Sequence, residues 1–245
     1  MTRKAGMPRI RSISIVVGIS LIACCMAIPA TALAVPEFEA EKVPTPFKVK
    51  QTGNHVFTFL EKAKGAGAGK VICSEAEAAG ETKAKRQPLL VVIPSYAKCV
   101  WYNKKEVEEF EKFEGPPPGQ GAVEVKTKGC GYVLQIEPGQ KEKEAGYIGE
   151  LMLMPACEVS FEKFAGVPAC KVTIKGAPGL LKASKYLNEP IGGGPPYTGM
   201  KLIINVPEGI SYESAGCPAG FSKALQPWAV YNGAFDFSKT GITVS

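Results

Sequence analysis

Along most of this chain apolar residues stand in short runs or at every second position, and glycine and proline clusters cut the runs apart. Alternation with a period of two is what a half-buried strand needs, because successive side chains leave opposite faces of the sheet. The pattern is clear at 47–49, 55–59, 70–73, 96–102, 122–126 and 132–136 in the first half. It recurs at 151–154, 180–186, 200–206, 210–212, 228–237 and 242–244 in the second. Leu89-Leu90-Val91-Val92-Ile93 is apolar throughout and reads as a central strand. Thr52-Gly53-Asn54 sits where a turn would fold 47–49 onto 55–59 as a hairpin. About a dozen strands spaced by turn signals predict an all-β, antiparallel β-sandwich or barrel-like fold.

One stretch breaks the pattern. From 104 to 114 the residues Val107, Phe110 and Phe113 recur at helical spacing among glutamates and lysines, and Gly115-Pro116-Pro117-Pro118 ends the run. This is the candidate short helix; the alternative is a charged extension of a long hairpin. Elsewhere 20 prolines and 27 glycines argue against long helices. The loop at 115–121 is short and flanked by strands, so 45–245 reads as a single β domain, with 35–44 as an extended lead-in.

The first 34 residues differ in kind. Arg3, Lys4, Arg9 and Arg11 precede an uncharged run from Ile13 to Ile28, and Ala32-Leu33-Ala34 supplies small residues at −3 and −1. These are the three parts of a secretory signal peptide, with cleavage before Val35. The apolar run is shorter than the roughly 20 residues of a spanning helix, and no later segment is long enough, so no transmembrane segment is expected after cleavage. Leu21-Ile22-Ala23-Cys24 also fits a bacterial lipoprotein box, but the residues after Cys24 stay apolar where such proteins usually turn polar. The sequence therefore predicts a secreted or cell-surface protein. Removing the leader also removes four basic residues and no acidic ones. The formal charge falls from +6 to +2, and Arg86 is left as the sole arginine. Nucleic-acid binding is not expected of such a chain.

Two of the eight cysteines leave with the leader. The six that stay are Cys73, Cys99, Cys130, Cys157, Cys170 and Cys217. An even number without any C-x-x-C pair, in an exported chain with one histidine, reads as three disulfides and not as a metal site. Pro155-Ala156-Cys157-Glu158-Val159 is nearly repeated as Pro168-Ala169-Cys170-Lys171-Val172, which suggests a hairpin with Cys157 and Cys170 as cross-strand partners. Cys73 with Cys99 is the next most economical pairing, and Cys130 with Cys217 then remains.

The remaining chemistry is mostly exclusion. His55 shares strand parity with Phe57 and Phe59, which suits a structural or surface strand residue better than a catalytic base. No serine lies in a G-x-S-x-G elbow, and paired cysteines are not nucleophiles. Gly65-Ala66-Gly67-Ala68-Gly69-Lys70 imitates a phosphate loop, but Lys64 replaces its first glycine and Val71 its Ser or Thr. With 22 glutamates and Asp236 as the single aspartate, calcium loops and aspartyl dyads are not expected. No cofactor motif is present. A pair of glutamates acting as a glycoside hydrolase is the enzymatic alternative. The residues suited to binding are Trp101, Tyr102, Trp228 and Tyr231: exposed together they could stack on sugar rings or on a protein surface, and otherwise both tryptophans pack in the core. Because Trp101 and Tyr102 are neighbours in a strand, at least one of the two is expected to face outward.

The order of features carries a resemblance. Gly129-Cys130-Gly131-Tyr132-Val133 is followed by the paired Cys-x-Val strands, then Lys185-Tyr186-Leu187-Asn188 and Gly209-Ile210-Ser211-Tyr212. Gly216-Cys217-Pro218-Ala219-Gly220 and Tyr231-Asn232-Gly233-Ala234 complete the series. This resembles a group of secreted, β-rich, cysteine-containing bacterial proteins of uncharacterised function that occur as many paralogues. The likeness covers most of 50–245 and rests on structural motifs, so it implies a stapled β frame and no activity. The chain departs from the group in being rich in Lys and Glu where the others are rich in Ser and Thr, and in its acidic 104–114 stretch. Together these readings predict a secreted or cell-surface, non-enzymatic module that binds envelope polysaccharide or a protein.

Overall fold

A computed structural model of the chain describes residues 36–62, 67–103, 121–141, 146–176, 181–191 and 194–245. The leader at 1–34 and the candidate helix at 104–114 lie outside the described residues. Those residues form sixteen strands and no helix, so the all-β antiparallel expectation holds. The frame consists of three strands far longer than the usual five or six residues: β4 (Gly67–Thr82), β6 (Leu89–Asn103) and β14 (Gly194–Ala215). From β6 the main sheet continues through β9 (Tyr132–Lys141), β10 (Gly146–Leu153) and β13 (Leu181–Ile191) to β14. β14 then pairs with β15 (Gln226–Asp236), which lies against β3 (His55–Leu60) and so leads back to β4. These pairings roll the sheet up in a barrel-like manner around one core. A branch leaves the second half of β14 through β12 (Lys171–Lys175) and β11 (Glu158–Glu162) to β8 (Glu124–Lys126).

The expected hairpin at 52–54 is not one. β2 (Thr45–Gln51) and β3 run in the same direction along β4, with Lys50 opposite Glu77 and His55 opposite Cys73. One side advances five residues while β4 advances four, which makes 52–54 a β-bulge within a continued strand. Turn-forming residues serve a bulge as well as a hairpin, and only the partner strand distinguishes the two. At the same level β4 and β6 exchange their inward residues: Val71 and Cys73 give way to Ala76 and Ala78, and Leu90, Val92 and Tyr96 to Cys99 and Trp101. Lys98 takes a left-handed conformation there, with φ 50°. The sheet is therefore creased along a line through β2–β3, β4 and β6.

Six cysteines form three disulfides. Cys73–Cys99 joins directly opposed residues of β4 and β6 beside the crease, as the sequence suggested. The other two expected pairs are corrected to Cys130–Cys157 and Cys170–Cys217. The hairpin of β11 and β12 does exist, with Val159 opposite Ile174 and Phe161 opposite Val172. In an antiparallel pair, however, two residues that each begin a strand lie at opposite ends of the ladder. Cys157 starts next to the end of β12, and Cys170 next to the turn. Their partners come from outside the hairpin.

The core is aromatic. Phe57 stacks on Tyr231 with ring centroids 4.5 Å apart, and Phe161 meets Phe57 edge-on at 5.0 Å. Tyr186, Tyr212 and Phe235 are also fully buried. Part of the expected lead-in joins a small separate sheet. β1 (Phe38–Ala40) pairs with β16 (Ile242–Val244) and with β5 (Arg86–Gln87), and Asn188 holds Val244 by both of its backbone groups, at 2.6 and 2.8 Å.

Candidate functional site

The crease gives the molecule an inside and an outside feature at one level. Inside lies His55, fully enclosed at the start of β3. Its Nε2 is 3.2 Å from the carbonyl of Ala234, which can only accept, so Nε2 carries the proton. Nδ1 then accepts the phenolic hydrogen of Tyr231 at 2.7 Å. The Tyr231 oxygen accepts in turn from Tyr96 at 2.9 Å, and Tyr96 from Tyr132 at 3.2 Å. The result is a one-way chain, Tyr132 to Tyr96 to Tyr231 to His55 to Ala234, drawn from β9, β6, β15 and β3. Gly233 makes room for it: a Cβ there would lie 2.3 Å from Nδ1. Burial pushes the imidazole down to about 4, against the smaller upward pull of the Ala234 carbonyl. Burial likewise pushes the Tyr132 phenol up to about 12 and those of Tyr96 and Tyr231 well above their usual range. The ring of Phe235, 4.6 Å from His55, could ease an imidazolium by about 2 kcal/mol. Desolvating an ion costs several kcal/mol. The neutral imidazole wins.

Outside, the crease opens as a groove of about 480 Å³ lined by Lys50, Gln51, Glu75, Glu77, Ser95 and Tyr96, among others. Gln51 donates to the Ser74 carbonyl, while its own Oε1 is buried without a partner. Glu75 and Glu77 leave the same face of β4, two residues apart, which is the arrangement a glycosidase pair would need. Each is matched by a lysine instead, Lys98 and Lys48 respectively. The hydrogen bond from Lys48 holds the Glu77 carboxyl below its usual range, and a general acid requires the opposite shift.

From the groove an uncovered apolar row runs along the outer face of β6. Leu89, Val91 and Ile93 are 45, 39 and 42% exposed, while Leu90 and Val92 between them are fully buried. The run is the central strand expected, between β4 and β9, and is covered on one face. Val133 of β9 lies opposite Val91, and Met152 of β10 opposite Val133. Met154, 37% exposed, completes the patch. Gly131 leaves the surface open between them, since a Cβ there would meet both Val91 and Met154 within 3.2 Å.

The outer face of β8, β11 and β12 is built differently. Glu162 stands opposite Glu124, a like-charge pairing that would repel. Lysines relieve it: Lys126 and Lys171 reach Glu162 at 2.6 and 3.1 Å, and Lys163 reaches Glu124 at 2.7 Å. Lys175 and Glu213 extend the ladder at 2.7 Å. The bond from Lys126, then that from Lys171, draws the Glu162 carboxyl down to about 2.

Of the four aromatic residues that the sequence offered for stacking, three are buried. Trp101 is buried, donates its indole N–H to the Ala165 carbonyl at 3.1 Å and meets Phe164 edge-on. Tyr102, on the opposite face of the strand, is buried too. Alternation places neighbours on opposite faces, but it does not make either face wet. Tyr231 lies in the core network, and Trp228 is half-buried against the core. All six cysteines are bonded. The structure thus shows two features that sequence reasoning missed, the tyrosine chain on His55 and the apolar row. The parity of His55 with Phe57 and Phe59 pointed to the first, and nothing in a five-residue apolar run pointed to the second.

No known protein family, curated protein or solved structure matches this chain. Among the described residues no group of His, Cys, Asp and Glu could hold a metal ion, and no helix is long and apolar enough to cross a membrane. Three disulfides are compatible with an extracellular protein.

Proposed function

We propose that this chain is an exported, non-enzymatic module that docks a second protein on the outer face of β6. The uncovered row of Leu89, Val91 and Ile93, continued by Met154, carries the reading. Contiguous exposed aliphatic surface of this kind is what contact with an apolar partner would cover. The side chains are branched aliphatics and a thioether, which match protein surface. Polysaccharide recognition rests instead on flat rings, and three of the four candidate rings are buried. The leader pattern and the three disulfides support export. Both groove glutamates are paired with lysines and all six described cysteines are bonded, which supports a non-enzymatic role.

A photoreactive residue placed at Val91 in the producing cells tests the proposal, with the same residue at Lys175 on the charged face as control. The expected result is a protein adduct at 91, absent at 175 and lost when Ile93→Lys is added. An adduct of twice the chain's own mass would identify the second protein as another copy. Lipid or glycan adducts alone, or no adduct at 91, would overturn the reading.

A further inference from the structure

We propose that His55 is an acid-sensitive latch on the crease: neutral, it ties β3, β6, β9 and β15 together, and protonated, it has no place in the folded core. The geometry is specific. Both ring nitrogens are committed, Nε2 to the Ala234 carbonyl and Nδ1 to the Tyr231 hydroxyl. A second ring proton on Nδ1 would point at a hydroxyl that is already donating. The chain could reverse only by turning every phenol, which would leave the last hydrogen, on Tyr132, without the Tyr96 acceptor it now uses.

Among the described residues no charged group faces the ring to offset the new charge. β15 presents Tyr231, Phe235 and the backbone of Gly233 and Ala234, and β6 presents Tyr96. β4 presents Cys73, locked in its disulfide, and β9 adds Tyr132 behind Tyr96. The titratable groups among these are phenols held neutral by burial. No carboxylate acts on the imidazole; only burial and one carbonyl do. The same level of the sheet is where the strands change their inward faces and where β2–β3 carries its bulge, so fewer ladder bonds resist opening there than along an unbroken strand.

The consequence for stability has a definite direction. The imidazole titrates near 6.5 when unfolded and near 4 when folded. Between those values the unfolded chain binds more protons, so stability is complete above about pH 6.5, declines as the pH falls, and levels off near pH 4. The folding equilibrium constant is expected to fall on the order of a hundredfold across that window.

His55 is the chain's single histidine, so its imidazole signals in a nitrogen-correlated NMR spectrum need no assignment. The expected result is a folded-state titration well below pH 5, and a denaturant midpoint that drops between pH 7 and pH 4.5. In His55→Gln the midpoint should be flat over the same range. Hydrogen exchange at pH 4.5 should rise first at amides near 55, 97 and 233. An imidazole that titrates near 6.5 in the folded protein, or an unchanged wild-type midpoint, would overturn the latch. If His55→Gln does not fold, the wild-type titration and the wild-type midpoints decide the matter alone.

Discussion

Two outer faces of one rolled sheet meet water in opposite ways. On β8, β11 and β12 nearly every outward position carries a charge, and the charges are matched across strands, with Glu162 held by Lys126 and Lys171 and Glu124 by Lys163. On β6, β9 and β10 the outward face carries an apolar run, Leu89, Val91, Ile93, Val133 and Met152, with Gln135 and Glu150 beside it. The inner sides of the two regions are alike, closely packed with Phe161 and Val172 beneath the first and Leu90 and Leu134 beneath the second. Folding needs only the inner rows. The outer rows are less constrained by packing, so their difference bears more on the proposed docking than on stability.

That claim can be broken in three places. The largest effect should come from what holds the charged region down. Replacing Cys170 and Cys217 together by alanine opens a link spanning 47 residues and should cost about 4 kcal/mol in the chain-entropy description. Chemical denaturation of the double variant checks this. A loss below about 1 kcal/mol would mean that the ladder, and not the disulfide and the core, secures this region.

The second effect contrasts neighbours on one strand. Leu90→Ala, beneath the apolar row, should cost about 3 kcal/mol through lost burial and the cavity left behind. Val91→Ser, on the outer side, should change stability by less than about 0.5 kcal/mol while weakening partner binding. Equal losses from the two would show that the outer row is covered within the monomer.

The smallest effect belongs to the ladder. Glu162 is mostly enclosed by its lysines, yet solvent screening limits such a pair, so Glu162→Gln should cost about 1 kcal/mol at pH 7. Its carboxyl titrates near 2 when folded and near 4.5 when unfolded. The contribution is therefore present above about pH 4.5 and lost as the pH falls toward 2, below the window in which His55 acts. Molar salt, with a screening length of about 3 Å, should shrink the same difference. Parallel denaturation curves of wild type and variant at pH 7, pH 3 and high salt would measure it. A penalty that persists at pH 3 and in salt would point to packing, not charge.

The sequence by itself determined the element type, because a period of two is a local property that any strand in a half-buried sheet must obey. It determined that six cysteines in the domain form three disulfides, since number and spacing exclude the common metal arrangements. It also set His55 on the strand face of two phenylalanines, while its complete burial is known only from the structure. The tertiary structure alone decided partnership. Cys157 and Cys170 look equivalent along the chain, yet an antiparallel ladder sends them to opposite ends. Thr52-Gly53-Asn54 fits a hairpin or a bulge equally well until β4 is seen to run past both flanking strands. Trp101 and Tyr102 must face opposite ways, but whether each side is wet depends on segments remote in sequence. Leu89 to Ile93 reads as a central strand and is one, but only the neighbouring elements determine which of its residues water touches.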